Sequence, residues 1–373
     1  MNIIKTKKEV LLNSLQPIIN VVEKRNALPI LMNVLIEKKN DDLIFTTSDI
    51  ELEMSTRFKY FDSEEFKITV SARKFIEIIR SLSDDVNITL KKEKNKLLIN
   101  QQKSKFSLQT LDSSDFPLIN INDEKKASLN ISQQILKTLF DSTSFSMATQ
   151  DVRYYLNGMY VQVKGSEIIT VTTDGHRLAF NKMQLKEQDV SFQNEEGSFS
   201  CIVPRKAVME IQKNIQEKEE KIEIDFYPNH LELRTEEKKL ITKLIEGNFP
   251  DYTRVIPEES KVILNLERED LLNKLHRISI LTTDKHRGIK VKLTKEKLIL
   301  KSTNTEQEEA EEEIICQSNV EIDIGFNVSY LIDVLTNIKT EKINFLLTDA
   351  QSSAVIQTTA SKEFRYVVMP MRI

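Results

Sequence analysis

Thr173-Asp-Gly-His-Arg-Leu-Ala179 sets a carboxylate, an imidazole and a guanidinium within a few residues of one another, and Asp49 closes a comparable Thr-Thr-Ser-Asp stretch. Groups of this kind can trade protons or hold a divalent ion, which would suit a nucleotidyl-transfer or nuclease reaction. The rest of the chain does not support such an enzyme. A later stretch, Thr303-Asn-Thr-Glu306, keeps the turn residues and loses the histidine, and no second carboxylate falls at metal-holding spacing. His176, His230, His276 and His286 show no ligand spacing with Cys201 or Cys316, so no metal site is expected. The seven glycines form no Gly-x-Gly and are absent before Gly158, which removes a phosphate-cradling loop or dinucleotide fingerprint. No Gly-x-Ser-x-Gly elbow is present either. The expectation is a protein with no catalytic residues and no cofactor.

The stretches around Asp49, Asp174 and Asn304 belong to a larger pattern. Leu43 to Asp49, Ile168 to Asp174 and Leu298 to Asn304 are three versions of one phrase, and Ile68 to Pro117, Ile202 to Pro250 and Ile322 to Pro370 are three versions of a second. Glu77, Glu210 and Asp333 hold the same helix position, and Phe116-Pro117 recurs as Phe249-Pro250. A period of about 120 to 130 residues is that of a whole domain; solenoid units repeat every 20 to 50 or so. The 373 residues therefore divide into 1–125, 126–257 and 258–373, each large enough for its own core.

Two helices are expected per repeat: Lys7 to Val22, Ala72 to Leu82, Ser132 to Ser142, Arg205 to Gln216, Glu267 to Ile280 and Val328 to Ile338. Leu11, Leu15, Ile18 and Val22, and later Leu271, Leu272, Leu275 and Ile278, recur at helical spacing. Alternating runs such as Asn87 to Leu90, Ile222 to Phe226 and Glu321 to Ile324 read as half-buried antiparallel strands. The fold class is α+β, with sheets on one side and helices on the other, written three times.

Charged residues make up 29% of the chain and the net charge is −4, which argues against a tight grip on many phosphates. Distribution matters more than the sum. Arg73, Lys74, Arg80, Lys137, Arg205, Lys206, Lys213, Lys274 and Arg277 give the helices a basic lean. Two runs look complementary: Lys103 and Lys105 alternate with Phe106 and Leu108 on a strand, and Glu306 to Glu313 holds six glutamates in eight residues. Either is an edge strand kept from aggregating by its charge, or the two are opposite ends of one interface. The two cysteines suggest no disulfide framework. No apolar run approaches the ~20 residues of a membrane span. The start of the chain lacks a signal-peptide core. A cytoplasmic location is expected.

Five stretches in order, Gln150 to Met159, Thr173 to Ala179, Phe249 to Tyr252 with Arg254-Val255, Ile324 to Tyr330 and Tyr366 to Ile373, resemble the bacterial sliding clamp family, the beta subunit of DNA polymerase III. The resemblance spans the chain. It implies three like domains per protomer and a head-to-tail homodimer closed into a ring around double-stranded DNA, with helices lining the hole. It further implies a cleft in which short linear peptides of the polymerase III catalytic subunit, the clamp loader, other polymerases and repair proteins insert apolar anchors.

The resemblance carries the peptide cleft onto Leu156, onto Thr173, Gly175, His176, Arg177 and Leu178, and onto Pro250, Arg254 and Val255. From the third repeat it adds Asn327, Tyr330 and Ser353, with Val367, Met369, Pro370, Met371 and Arg372 near the C-terminus. Leu, Val, Pro and Met make an adaptable apolar lining, with His176, Arg177 and Arg254 at the rim. DNA contacts carry over to Arg25, Gln150, Tyr154 and Tyr155, with Arg73 and Arg205 added from the helix faces. The dimer seam would join Lys74, Lys103, Lys105, Phe106 and Leu108 of one copy to Ile280, Leu281, Glu306 and Glu308 of the other. Ser71, Lys103, Lys105 and Ile373 depart from the commoner Pro, Arg, Arg and Leu of the family. The lysines exchange forked salt bridges for point-charge pairs.

Overall fold

The computed structural model describes residues 3–23, 28–61, 64–193, 195–257, 260–283, 287–359 and 363–372. Six α-helices form among them: α1 Lys8–Leu15, α2 Ala72–Ser81, α3 Gln133–Thr143, α4 Arg205–Asn214, α5 Arg268–Ser279 and α6 Val328–Asn337. Five match their expected spans within a residue or two. The first is shorter than the expected Lys7 to Val22. Pro17 has no N–H to donate and crowds the preceding turn, so regular helix ends at Leu15 and the chain continues in looser turns, with Val21 N–H reaching Ile18 O at 3.2 Å. The apolar spacing survives the break: Leu11, Leu15, Ile18 and Val22 are all buried.

The chain packs as two compact units that cut across the repeat. The first holds Met1–Gln134, Gln188–Gly197 and Lys206–Leu244; the second holds Ile135–Glu187, Ser198–Arg205 and Ile245–Ile373. In the first, thirteen strands form one sheet. The strand Ser104–Leu111 joins it unevenly. It pairs along its length with Lys96–Gln101, but on its other side only Thr110 and Leu111 meet Phe66–Ser71. Leu52–Lys59 pairs antiparallel with Lys238–Lys243, which carries the sheet across from the first repeat into the middle one.

The second unit has an eight-stranded and a four-stranded sheet. Here Arg177–Gln184 pairs antiparallel with Phe364–Val368, joining middle and last repeats in the same manner. The four-stranded sheet runs Glu309–Ile315, Lys297–Thr303, Gly288–Leu293, Ile322–Asn327, so the glutamate run lies on an edge strand. Both ends of the α5–α6 layer bury apolar side chains against these sheets: Leu271, Leu275 and Ile278 from α5, and Leu331, Val334 and Leu335 from α6, share one core with Phe326, Phe345 and Tyr366. Each such side chain contributes roughly 1.5–3 kcal/mol on burial. Tyr366 is fully buried, and its hydroxyl donates to Ser142 O at 2.5 Å, so its polar end is satisfied inside the core.

Candidate peptide groove and sheet edges

The corner Thr173 to Leu178 is shaped by its own side chains. Asp174 Oδ1 accepts the backbone N–H of His176 at 2.9 Å and of Arg177 at 3.0 Å, the usual use of a short acid at a turn. Thr173 Oγ1 accepts from Gly175 N at 3.0 Å and donates to Arg177 O at 2.6 Å. Gly175 sits at φ +90°, where a Cβ would be strained, and the Arg153 guanidinium lies against its open face. The corner then feeds the strand that pairs Leu178 with Val367 and Arg177 with Val368. One residue further on, Met369 N–H donates to His176 O at 2.9 Å, and Met371 N–H to Gly325 O at 2.9 Å. These bonds draw the C-terminal segment alongside the corner.

Leu178, Val367, Val171, Phe180 and Ile256 form a small buried apolar cluster, with Val255, Phe249, Tyr252 and Tyr160 half-exposed around it. Tyr160 stacks on Phe249 with centroids 5.0 Å apart. Met369 and Met371 are exposed, and Pro250 and Arg254 stand in solvent next to them in character. Ser353 is half-buried. Leu156 is buried at the end of a short 3-10 turn, Tyr154–Leu156. Asn327 proves to be the cap of α6, its side chain accepting from Ser329 N at 3.0 Å, so its first role is structural.

The rim differs from expectation in one respect. Arg254 is a true rim group, its side chain 84% exposed and paired only at Nε with Asp251 at 2.8 Å. His176 is exposed as well. Arg177 is not at the rim. Its side chain is 11% exposed. Nε donates to Asp174 Oδ2 at 3.1 Å, Nη1 to Asp333, and Nη2 to Phe145 O at 3.1 Å, with the guanidinium 4.6 Å above the Tyr330 ring. Burying a guanidinium is costly unless acceptors surround it, and the loop spacing alone did not disclose Asp333 as one of them. The Tyr330 ring meets both this cation and the His176 ring, which stacks on it with centroids 6.5 Å apart. Burial pushes the Tyr330 phenol up.

Asp174 and Asp49, set out as catalytic candidates in the enzyme reading, are each engaged in their own corner. Asp49 takes Glu51 N and Leu52 N and pairs with Lys206. Among the described residues no group of three His, Cys, Asp or Glu side chains could hold a metal. Cys201 is half-buried, and desolvation pushes its thiol up.

Of the expected DNA residues, Arg25 lies outside the described residues. Gln150, at φ +55°, and Tyr154 project from the ordered loop 148–157, which Asp151 holds by accepting Arg153 N at 2.8 Å while its own N–H bonds Asn157 Oδ1 at 2.9 Å. The Arg153 side chain brings the Asp151 carboxyl down to about 2. Tyr155 packs edge-on to Tyr154 at 6.0 Å. Arg73 bonds Val22 O at 3.2 Å and Arg205 bonds Met147 O at 3.0 Å. The basic lean of the helices is thus partly neutralised at home: Lys206 pairs with Asp49, Lys213 with Glu210, Lys137 with Asp141, Lys274 with Asp270 and Arg277 with Glu312. Helical spacing of three or four brings several of these acids alongside, a cancellation the basic residues alone did not reveal.

On the strand Ser104–Leu111, Lys105 is exposed and Phe106 and Leu108 are half-buried, with Lys103 and Lys74 exposed nearby in sequence or on α2. In the other unit Ile280, at the end of α5, is 77% exposed, and Leu281 is half-buried. The glutamate run is less available than its count suggests. Glu309 pairs with Lys301 at 2.9 Å, Glu312 with Arg277 and Glu313 with Lys297. Glu306 and Glu308 close the turn with Asn304, whose Oδ1 accepts both of their N–H groups.

Family models for the DNA polymerase III beta subunit match in three consecutive pieces, its N-terminal domain over residues 1–120, its central domain over 130–251 and its C-terminal domain over 253–372. The chain is 41% identical over 373 residues to the beta sliding clamp of Pseudomonas aeruginosa, covering 98% of this chain and 99% of that one. It is 38% identical over 370 residues to the beta sliding clamp of Escherichia coli K12, at the same coverage. The crystal structure of the DNA polymerase III subunit beta from Pseudomonas aeruginosa superposes with a TM-score of 0.94 at 39% identity, over 100% of both chains. A likeness that runs from end to end and through all three domains makes this chain a member of the beta sliding clamp family, the beta subunit of DNA polymerase III.

Proposed function

We propose that two copies of this chain close head to tail into a ring around duplex DNA and tether the replicative polymerase by topology, without catalysis of their own. Domains 1–125, 126–257 and 258–373 would supply the arc. The observation that carries the reading is a pair of open sheet edges of opposite charge. Among the described residues Ser104 to Gln109 has no strand partner on one side, and it carries Lys105, with Lys103 just before it. Glu309–Ile315 is an edge of its own sheet and leaves Ile315 92% exposed, with Ile280 exposed on α5. Long edges with apolar side chains in water aggregate unless paired. A contact between unlike edges that closes after two copies leaves neither free.

Because several glutamates already have partners, apolar groups dominate this seam and charge sets its register; exposed pairs are screened beyond about 8 Å at physiological salt. DNA contact is weak and sequence-independent, from Gln150, Tyr154, Tyr155, Arg73, Arg205 and Arg25, which suits a ring that must slide. The groove beside Leu178 and Val367 takes short apolar-anchored peptides from the catalytic subunit, the clamp loader, other polymerases and repair proteins, which exchange on one site. The setting is the cytoplasm. No described helix is long and apolar enough to cross a membrane.

Two measurements test the ring. Sedimentation should give a dimer that Phe106→Ala with Leu108→Ala converts to monomers at micromolar protein; a double variant still fully dimeric puts the seam elsewhere. Loaded protein should remain on circular DNA and fall off when the circle is cut. Equal retention on both would remove topology as the tether.

A further inference from the structure

Arg177 is a cation held at the base of the groove by two carboxylates that come from different repeats. Asp174 belongs to the corner itself, while Asp333 lies on α6, 156 positions further along the chain. The guanidinium also bonds Phe145 O, stacks over Phe145 at 5.7 Å and over Tyr330 at 4.6 Å. Tyr330 in turn supports the His176 ring. One fork therefore fixes three elements at once: the corner, the end of α3 and the face of α6. Resting on the peptide-groove reading above, we infer that Asp333 is a positioning residue for peptide binding, acting through Arg177 to hold Tyr330 and His176 as a preformed wall.

The physical reason lies in the fork geometry. A guanidinium presents planar donors in fixed directions, so neutralising the carboxylate on Nη1 turns a charge-assisted bond into a weaker neutral one in a site where the Arg177 side chain is 11% exposed. The cation would then turn toward Asp174, its remaining carboxylate, and slide off the Tyr330 ring, where it is held by the ring's negative face. The wall would be assembled only when peptide arrives, and the ordering would be charged against affinity. Asp333 itself is 42% exposed on the helix surface, so the helix does not need it for packing.

The test compares Asp333→Asn, which keeps the shape and removes the charge, with Asp333→Glu, which returns a carboxylate. The probe is a synthetic peptide with the C-terminal sequence of the replicative polymerase catalytic subunit, titrated calorimetrically into the full-length protein. Asp333→Asn should weaken the peptide about tenfold, the size expected when a charge-assisted bond becomes a neutral one. Asp333→Glu should recover most of it. In the free protein, NMR signals of the Tyr330 and His176 rings should shift in Asp333→Asn while core methyl signals stay in place. Wild-type affinity in Asp333→Asn, or ring signals that do not move, overturns the positioning role and leaves the groove intact. Equal weakening in both variants overturns it as well, since then the carboxylate is not what matters. Failure of the wild type to bind the peptide at all overturns the groove reading and this inference together.

Discussion

The two places where a sheet crosses from one repeat into the next are built on the same backbone plan and carry different side chains. In the second unit Arg177 pairs with Val368, and Met369 N–H reaches His176 O at 2.9 Å. In the first unit Leu52 pairs with Thr242, and Lys243 N–H reaches Glu51 O at 2.9 Å. The corners match too, with Asp49 and Asp174 each accepting the N–H groups two and three residues ahead. What differs is the side chains. Gly175 is replaced by Ile50, a β-branched residue at φ +80°; the exposed His176 and Met369 become Glu51 and Lys243, which pair with each other at 3.4 Å. Leu178 becomes Glu53, 8% exposed, whose carboxylate accepts Ile119 N at 2.8 Å. Arg177 becomes Leu52, and Glu210, the counterpart of Asp333, is left with Oε2 buried and unpartnered. The first junction pairs its outer residues with each other and seats a carboxylate where the second buries Leu178; the second leaves Met369 and Met371 exposed without such a pair among the described residues.

Exchanging the outer pair should have the largest effect. His176→Glu with Met369→Lys writes the closed junction onto the open one and should reduce affinity for the polymerase-tail peptide more than about a hundredfold by calorimetry, because buried apolar anchors supply most of the binding at ~25 cal/mol per Å². The reverse change, Glu51→His with Lys243→Met, should create no peptide binding, since Glu53, bonded to Ile119 N, still seats a carboxylate where the second junction buries Leu178. Binding at the rebuilt first junction would show that the outer pair alone defines the groove.

The glycine position comes next. Gly175→Ile should lower stability by about 1–3 kcal/mol, the cost of a β-branched residue in the left-handed region. Ile50→Gly relieves the same strain at the first junction and should be neutral or gain up to about 1 kcal/mol, less than the full strain because glycine loses more freedom on folding. A large loss in Ile50→Gly, by thermal or urea unfolding, would mean that the Ile50 side chain, and not its backbone, is what matters there.

The smallest effect is in pH. Burial raises the Glu53 carboxyl above its ordinary 4.5, against the opposing bond from Ile119. A raised acid is protonated more readily in the folded state, so its contribution is favourable below its unfolded value and is lost as pH rises through the folded one. Glu53→Gln keeps an acceptor for Ile119 and should flatten that fall as pH rises above the ordinary 4.5 while leaving stability at low pH unchanged. An identical pH profile would place the titrating group elsewhere.

The repeat and its helices were legible from spacing alone, since apolar periodicity reports which faces are buried, and Leu11, Leu271 and Ile278 are buried accordingly. The groove was legible only through family resemblance. Met369 to Met371 carry no sign in themselves that they end beside His176, because the bonds that bring them there are backbone bonds, blind to side-chain type. The length of α1 was misjudged where Pro17 broke a helix whose apolar rhythm continued.

By itself the sequence determined three domain-sized repeats, their helices and strands, the lack of a phosphate loop and the two oppositely charged strands, because composition and periodicity act locally. Only the tertiary structure decided that Arg177 is a buried strut between Asp174 and Asp333. It alone decided that much of the basic lean and of the glutamate run is paired within the fold, and that the outer residues of one of two equivalent junctions pair with each other. Those outcomes depend on which side chains meet across more than a hundred residues of chain. A charge in sequence is only a charge; whether it is a rim, a strut or a closed pair is set by the partner that folding brings within about 3 Å.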